Sequence, residues 1–121
     1  MKKNRILGDY GELLAENYIK KLGYTIIDKK FISKFGEIDI IARNKNTIRF
    51  IEVKTRKNKN PYLPPEIAVN KKKMKSIIKI AQFFIYCHPE LSNYELHFDI
   101  IAINLKPEKN INYIEDAFIL S

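Results

Sequence analysis

The chain holds a single cysteine, Cys87, so no internal disulfide can form and the fold must rest on its core. Cys87 lies in the apolar stretch Phe83-Phe84-Ile85-Tyr86-Cys87, where a small core residue is expected rather than a nucleophile. No run approaches the ~20 apolar residues that a membrane helix needs. The basic start Met1-Lys2-Lys3-Asn4-Arg5 is followed by no long apolar segment, so no signal peptide is expected. Those absences lead to the expectation of a cytoplasmic protein with no membrane partner. His88 and His97 are far apart and have no Cys or His at zinc spacing, so both are expected to be structural or surface residues. Gly8, Gly11 and Gly36 form neither a dinucleotide fingerprint nor a P-loop. No internal repeat or low-complexity segment stands out.

What is present points to one compact domain spanning residues 1–121. Hydrophobic residues make up 45% of the chain, enough for a sizeable core, and charged residues 30%. Lys and Arg number 22 against 14 Asp and Glu, a net charge of +8. That surplus favours an acidic partner, nucleic acid first and an anionic membrane surface second.

Apolar residues at Leu7, Leu14, Ala15, Tyr18 and Leu22 recur at helical spacing, and Gly23 follows as a stop signal. Tyr24-Thr25-Ile26-Ile27 reads as a strand. Gly36 to Arg43 and Thr47 to Lys54 read as two strands around the turn-like Asn44-Lys45-Asn46, a β-hairpin. Residues 57–65, with Pro61, Pro64 and Pro65, read as a loop. A second helix is expected from Ile67 to Cys87, marked by Met74, Ile77, Ile78, Ala81, Phe84 and Ile85. Tyr94 to Leu105 alternates as a strand, and Ile111 to Leu120 offers a further short one. The order α-β-β-β-α-β, with that optional last strand, predicts an α/β fold with a mixed sheet flanked by helices.

The hairpin carries the chemistry. A two-residue loop at Lys45-Asn46 sets Asn44 opposite Thr47, Asp39 opposite Glu52 and Glu37 opposite Lys54. Directly opposed residues have Cβ atoms ~4.5–5.5 Å apart. Ile38, Ile40, Ile51 and Val53 then form one core-facing set on the other face. Two acids side by side repel unless something compensates, and a divalent cation is one candidate. Mg²⁺ takes oxygen ligands and commonly one or two protein carboxylates. Lys54, on the face of Glu52, is placed to orient a water or stabilise a negative transition state. The alternative reading is a solvated strand face laced with salt bridges.

Gly36-Glu37-Ile38-Asp39, followed by Glu52-Val53-Lys54, resembles the PD-(D/E)xK signature of restriction-endonuclease-like nucleases. The wider set is closer still to the YraN-like family of small bacterial proteins. It comprises Gly11-Glu12 with Ala15, Gly23-Tyr24, Gly36-Glu37-Ile38-Asp39, Phe50-Ile51-Glu52-Val53-Lys54-Thr55-Arg56 and Phe98-Asp99. The arrangement is also similar to that of archaeal Holliday-junction resolvases. The resemblance implies a restriction-endonuclease-like fold, a central mixed sheet with flanking helices. It implies Asp39 and Glu52 as ligands of Mg²⁺ or Mn²⁺, Lys54 as the catalytic lysine, and Glu12 as an assisting acid. Glu12 lies at the edge of its helix's apolar stripe, where a cleft residue and an ordinary exposed glutamate are both open readings. The chain departs from the family at Lys30, where many members carry asparagine, and at His97, where they often carry arginine.

The implied activity is a metal-dependent endonuclease hydrolysing phosphodiester bonds of DNA, structured or branched DNA included. A non-catalytic nucleic-acid-binding module that kept the fold is the alternative. Arg56 and Lys57, with Lys72 and Lys73 of the second helix, are the candidate nucleic-acid contacts. Lys73 sits on the flank of the apolar stripe and matches a basic family position. Asp99 is expected to serve packing or a salt bridge. Resolvase-like proteins that cut two strands are commonly dimers, so a homodimer is one expectation.

Overall fold

A computed structural model describes residues 2–58 and 71–118. The order is α1 (Lys2–Lys21), β1 (Thr25–Ser33), β2 (Gly36–Asn44), β3 (Thr47–Asn58), α2 (Lys71–Cys87), a 3₁₀ turn (Pro89–Leu91), β4 (Glu95–Lys106) and β5 (Asn110–Phe118). The strands form one sheet in the order β1-β2-β3-β4-β5. All pairings are antiparallel except β3 with β4, which run parallel because α2 lies in the connection between them. This is the expected α/β architecture, consistent with a restriction-endonuclease-like fold, and the optional last strand is real. The first strand is longer than Tyr24–Ile27, because Asp28, Lys29 and Ser33 pair with β2 despite their polarity. Lys57 and Asn58, expected to begin a loop, instead continue β3 beside β4, while residues 59–65 of that loop and the expected helix start at Ile67 lie outside the described residues.

Both faces of the sheet are covered, so there are two cores. α1 brings Ala15 and Ile19 onto Ile40, Ala42, Ile51, Ile101 and Ile103. α2 brings Ile77, Ile80, Ala81 and Phe84 onto Ile38, Ile41, Phe50 and Phe98. Gly11, Ala15 and Ile19 recur every four residues, which lays one narrow seam of α1 on the sheet. Its end is a Schellman motif: the Tyr24 N–H donates to Ile19 O (3.2 Å) and the Gly23 N–H to Lys20 O (3.0 Å), with Gly23 at φ 97°.

The hairpin turn is as expected, with Asn44 opposite Thr47 and Lys45 at φ 54°. The register holds only to Ile40 opposite Ile51. The expected pairs Asp39 with Glu52 and Glu37 with Lys54 do not form. Nor do Ile38 and Ile40 share a face: Ile38 packs under α2 and Ile40 under α1. The cause is a kink shared by two strands. Lys30, opposite the Asp39 position of β2, takes a left-handed backbone (φ 49°), and side-chain alternation breaks there in both β1 and β2. The second correction concerns Cys87. It ends α2 exposed, because the apolar seam of the helix has turned away by that residue.

Candidate functional site

The kink opens β2 away from β3, and the candidate side chains gather in the fork. Where the ladder stops, the Val53 N–H would lose its partner in β2. The Asp39 carboxylate takes that place, accepting the Val53 N–H through Oδ2 at 2.8 Å. Asp39 is thereby fixed beside β3 without being opposite Glu52. Ile51 and Val53 face α1, so Glu52 between them points to the α2 side. Its side chain is only 8% exposed, and the Lys73 ammonium of α2 stands 3.5 Å from its Oε2. That buried oxygen nevertheless accepts no hydrogen bond.

The electrostatics follow from this geometry. Burial pushes the Glu52 carboxyl up to about 8, and Asp39 adds to the shift through its charge and through a hydrogen bond. Lys73 and Lys54 offset part of it. The two acids are thus close enough to share a proton, and both cannot ionise without cost. From the other face of the sheet, Glu12 of α1 points into a cleft of about 460 Å³ lined also by Asp9, Leu13, Glu16, Lys29, Lys30, Asp39 and Ile40. Burial raises the Glu12 carboxyl too, and the Asp39 charge adds to it. Of the two open readings of Glu12, the cleft residue is the one observed.

Gly11 explains how Glu12 comes so near. A Cβ at position 11 would stand 1.8 Å from Thr55 Oγ1 and 2.8 Å from Thr55 Cβ, so only glycine lets α1 lie this close to β3. Gly11→Ala is expected to lower stability by ~1–3 kcal/mol through overpacking, despite a helix-propensity gain of up to ~1 kcal/mol. Gly8→Ala meets nothing within 4 Å and is expected to be neutral or stabilising. Urea titration of the two variants checks the contrast.

Asp39, Glu52 and Glu12 are therefore brought to one fork, yet they are not a closed ligand set. Among the described residues, no three His, Cys, Asp or Glu groups converge tightly enough to hold a metal ion. What Asp39 and Glu52 do offer is a pair of mutually repelling carboxylates with one orphaned buried oxygen. All donors are oxygen, which fits a small hard cation that keeps several of its waters. Lys54 is half-buried on the Glu52 side, and Arg56 follows on the same face with Nη1 buried and without a hydrogen bond. Lys57 and Lys72 are exposed.

The residues missed by the sequence reading are Asp9, Lys29 and Lys30. The lysines were passed over as site residues because the first strand was ended at Ile27, with Lys30 noted only as a departure from the family, and Asp9 lies on α1, where nothing in the helical pattern marked it. The histidines are structural as expected: His88 stacks on Phe84, and His97 Nδ1 bonds Asp116 Oδ1 at 2.6 Å. Asp99 is buried in a salt bridge with Arg49.

Residues 11–103 match the family described as "Uncharacterised protein family UPF0102". A UPF0102 protein of Caldanaerobacter subterraneus subsp. tengcongensis is 45% identical over 124 residues, covering 98% of this chain and all of that one. One from Clostridium acetobutylicum is 43% identical over 118 residues, covering 95% of each. One from Syntrophus aciditrophicus is 41% identical over 122 residues, covering all of this chain and 94% of that one. With full-length relatives at this identity and the fork motifs inside the matched span, the chain belongs to UPF0102, the YraN-like family.

Proposed function

We propose that this protein is a Mg²⁺- or Mn²⁺-dependent endonuclease that hydrolyses phosphodiester bonds of DNA, structured or branched DNA included. The observation that carries the reading is the buried Glu52 carboxyl, pressed against Asp39, whose Oε2 accepts no hydrogen bond and has only the 3.5 Å ion pair with Lys73. Asp39 and Glu52 would hold the cation, with Glu12 alongside. Bound there, it would polarise a phosphoryl oxygen and lower the pKa of a bound water.

The chain's own groups do the rest. The Val53 N–H orients the Asp39 carboxylate. The Lys54 ammonium stands beside Glu52, placed to stabilise charge on the phosphoryl group or to hold the attacking water. Lys73 stands 3.5 Å from Glu52, favours its ionised form, and is at hand for a phosphate oxygen. Arg56, Lys57 and Lys72 extend the positive surface along which a backbone would lie.

Labelled duplex, single-stranded and four-way-junction DNA, incubated with and without Mg²⁺ or Mn²⁺, test this. Metal-dependent cleavage is expected, and Asp39→Asn, Glu52→Gln and Lys54→Met are each expected to lower its rate at least ~100-fold. Cleavage that survives the two acid variants unchanged would refute the site. A second reading, a binding module without catalysis, is favoured by the want of a third converging acid among the described residues. It predicts salt-sensitive DNA binding and no cleavage with either metal.

A further inference from the structure

The lysines of the cleft are placed in a way that a simple strap between α1 and β1 does not require. Lys29 and Lys30 are adjacent in a strand, so regular alternation would send them to opposite faces. Both instead reach α1: Lys29 Nζ lies 3.4 Å from Glu16 Oε2, and Lys30 Nζ lies 2.9 Å from Asp9 Oδ1. The left-handed backbone at Lys30 is what brings the second lysine round. A lysine has no intrinsic preference for that conformation.

The ion pairs themselves are a weak reason for the arrangement. The lysine side chains are 56% and 50% exposed, and pairs of that exposure contribute little to stability. Glu16 is moreover already held by Lys20 at 3.2 Å. Among the described residues that line the cleft, Lys29 and Lys30 are the cations, and Asp39 and Glu12 line it too. The Lys30 charge is also coupled to Glu12 and Glu37. Across the sheet, Lys54, Arg56 and Lys73 attend the α2 side of the same fork.

We propose that Lys29 and Lys30 are a second phosphate-binding pair, masked by Asp9 and Glu16 and exposed when a DNA backbone enters the cleft. The phosphates exchange with the two carboxylates for the ammonium groups, and the strand then has cations on both sides of the fork. This rests on the DNA-cleaving reading above, and it adds residues on an element to which that reading assigns none.

The test is binding rather than cleavage. Anisotropy of a labelled four-way junction would be titrated in EDTA across a range of salt. The pair Lys29→Gln with Lys30→Asn, asparagine tolerating the left-handed backbone, is expected to weaken binding about 5–10-fold and to reduce the salt slope by up to about 2. The pair Asp9→Asn with Glu16→Gln is expected to tighten binding by a similar factor, because it unmasks the lysines. Glu90→Gln with Glu108→Gln, two exposed acids that do not line the cleft, makes the same change in net charge and is expected to shift affinity less. Thermal melts establish that each variant is folded. Wild-type protein that binds no DNA at low salt would overturn the nuclease reading and this proposal together. Wild-type binding with cleft acids that act no differently from Glu90 and Glu108, or with lysine variants that bind as wild type does, would overturn this proposal alone.

Discussion

At about pH 9 and without divalent cations, Glu52→Gln is expected to be more stable than the wild type, by ~2–4 kcal/mol. At pH 4 the two are expected to unfold alike. The sign follows from the raised carboxyl. In the unfolded chain Glu52 titrates near 4.5, and in the folded chain near 8. Below 4.5 it is protonated in both states, and its hydrogen bond with Asp39 is fully present. As pH rises through 8 the folded state must ionise a buried acid beside a second one, and the stabilisation is lost. Glutamine keeps the shape and never ionises. Thermal melts of both proteins from pH 4 to 9 measure this, and a constant difference across that range would remove the basis for the acid pair. Added Mn²⁺ is expected to raise the wild-type melting temperature and to leave the variant nearly unmoved, since only the wild type has the full carboxylate pair to bind it.

The second large effect lies in a buried network. Asp99 is 1% exposed and accepts from Arg49 Nη1 (2.9 and 3.2 Å), the Asp116 N–H (2.8 Å) and the Tyr113 hydroxyl. Burial pushes its carboxyl up, and these partners offset part of the rise. Asp99→Ala leaves the buried Arg49 guanidinium with only the longer pairs to the more exposed Asp116 (3.5 Å) and Glu115 (3.7 Å), and is expected to lose ~3 kcal/mol. That is a large share of the ~5–15 kcal/mol that holds a domain of this kind together. Combining it with Arg49→Met is expected to recover part of the loss, because the stranded charge goes with its partner. Urea unfolding of the single and double variants reads the difference. A double variant no more stable than Asp99→Ala would mean that the cost is packing rather than charge. Asp99 pairs with Ile51, one residue before Glu52, so the network also steadies the strand that carries the site.

The expected salt bridge of Asp99 is observed, with Arg49. It was legible because an acid in a strand as apolar as Phe98-Asp99-Ile100-Ile101 must be paired to be tolerated. Its partners were not legible, since Arg49, Tyr113 and Asp116 come from β3 and β5. The helix end at Gly23 and the Lys45-Asn46 turn were readable for a simpler reason: both are local, set by backbone freedom within a few residues. The hairpin register beyond Ile40 was not, because it depends on β1. The kink at Lys30 is imposed by a strand whose extent the sequence pattern understated.

The amino-acid sequence by itself determined the order of elements, most of the α2 seam, the hairpin turn and the motif residues Glu12, Asp39, Glu52 and Lys54, whereas the α1 seam runs through Gly11, Ala15 and Ile19 and leaves the expected Leu22 exposed. The elements and the turn follow from periodicity and from backbone preferences that act over a few residues, and the motif residues from the resemblance of their ordered set to the YraN-like family. Tertiary structure alone decided that Asp39 meets Glu52 through a fork rather than a ladder. It also decided that Gly11 lets Glu12 approach, and that Lys29 and Lys30 turn together toward α1. Each of these depends on where separate strands and helices touch, and a charge or a missing Cβ acquires its meaning only at such a contact.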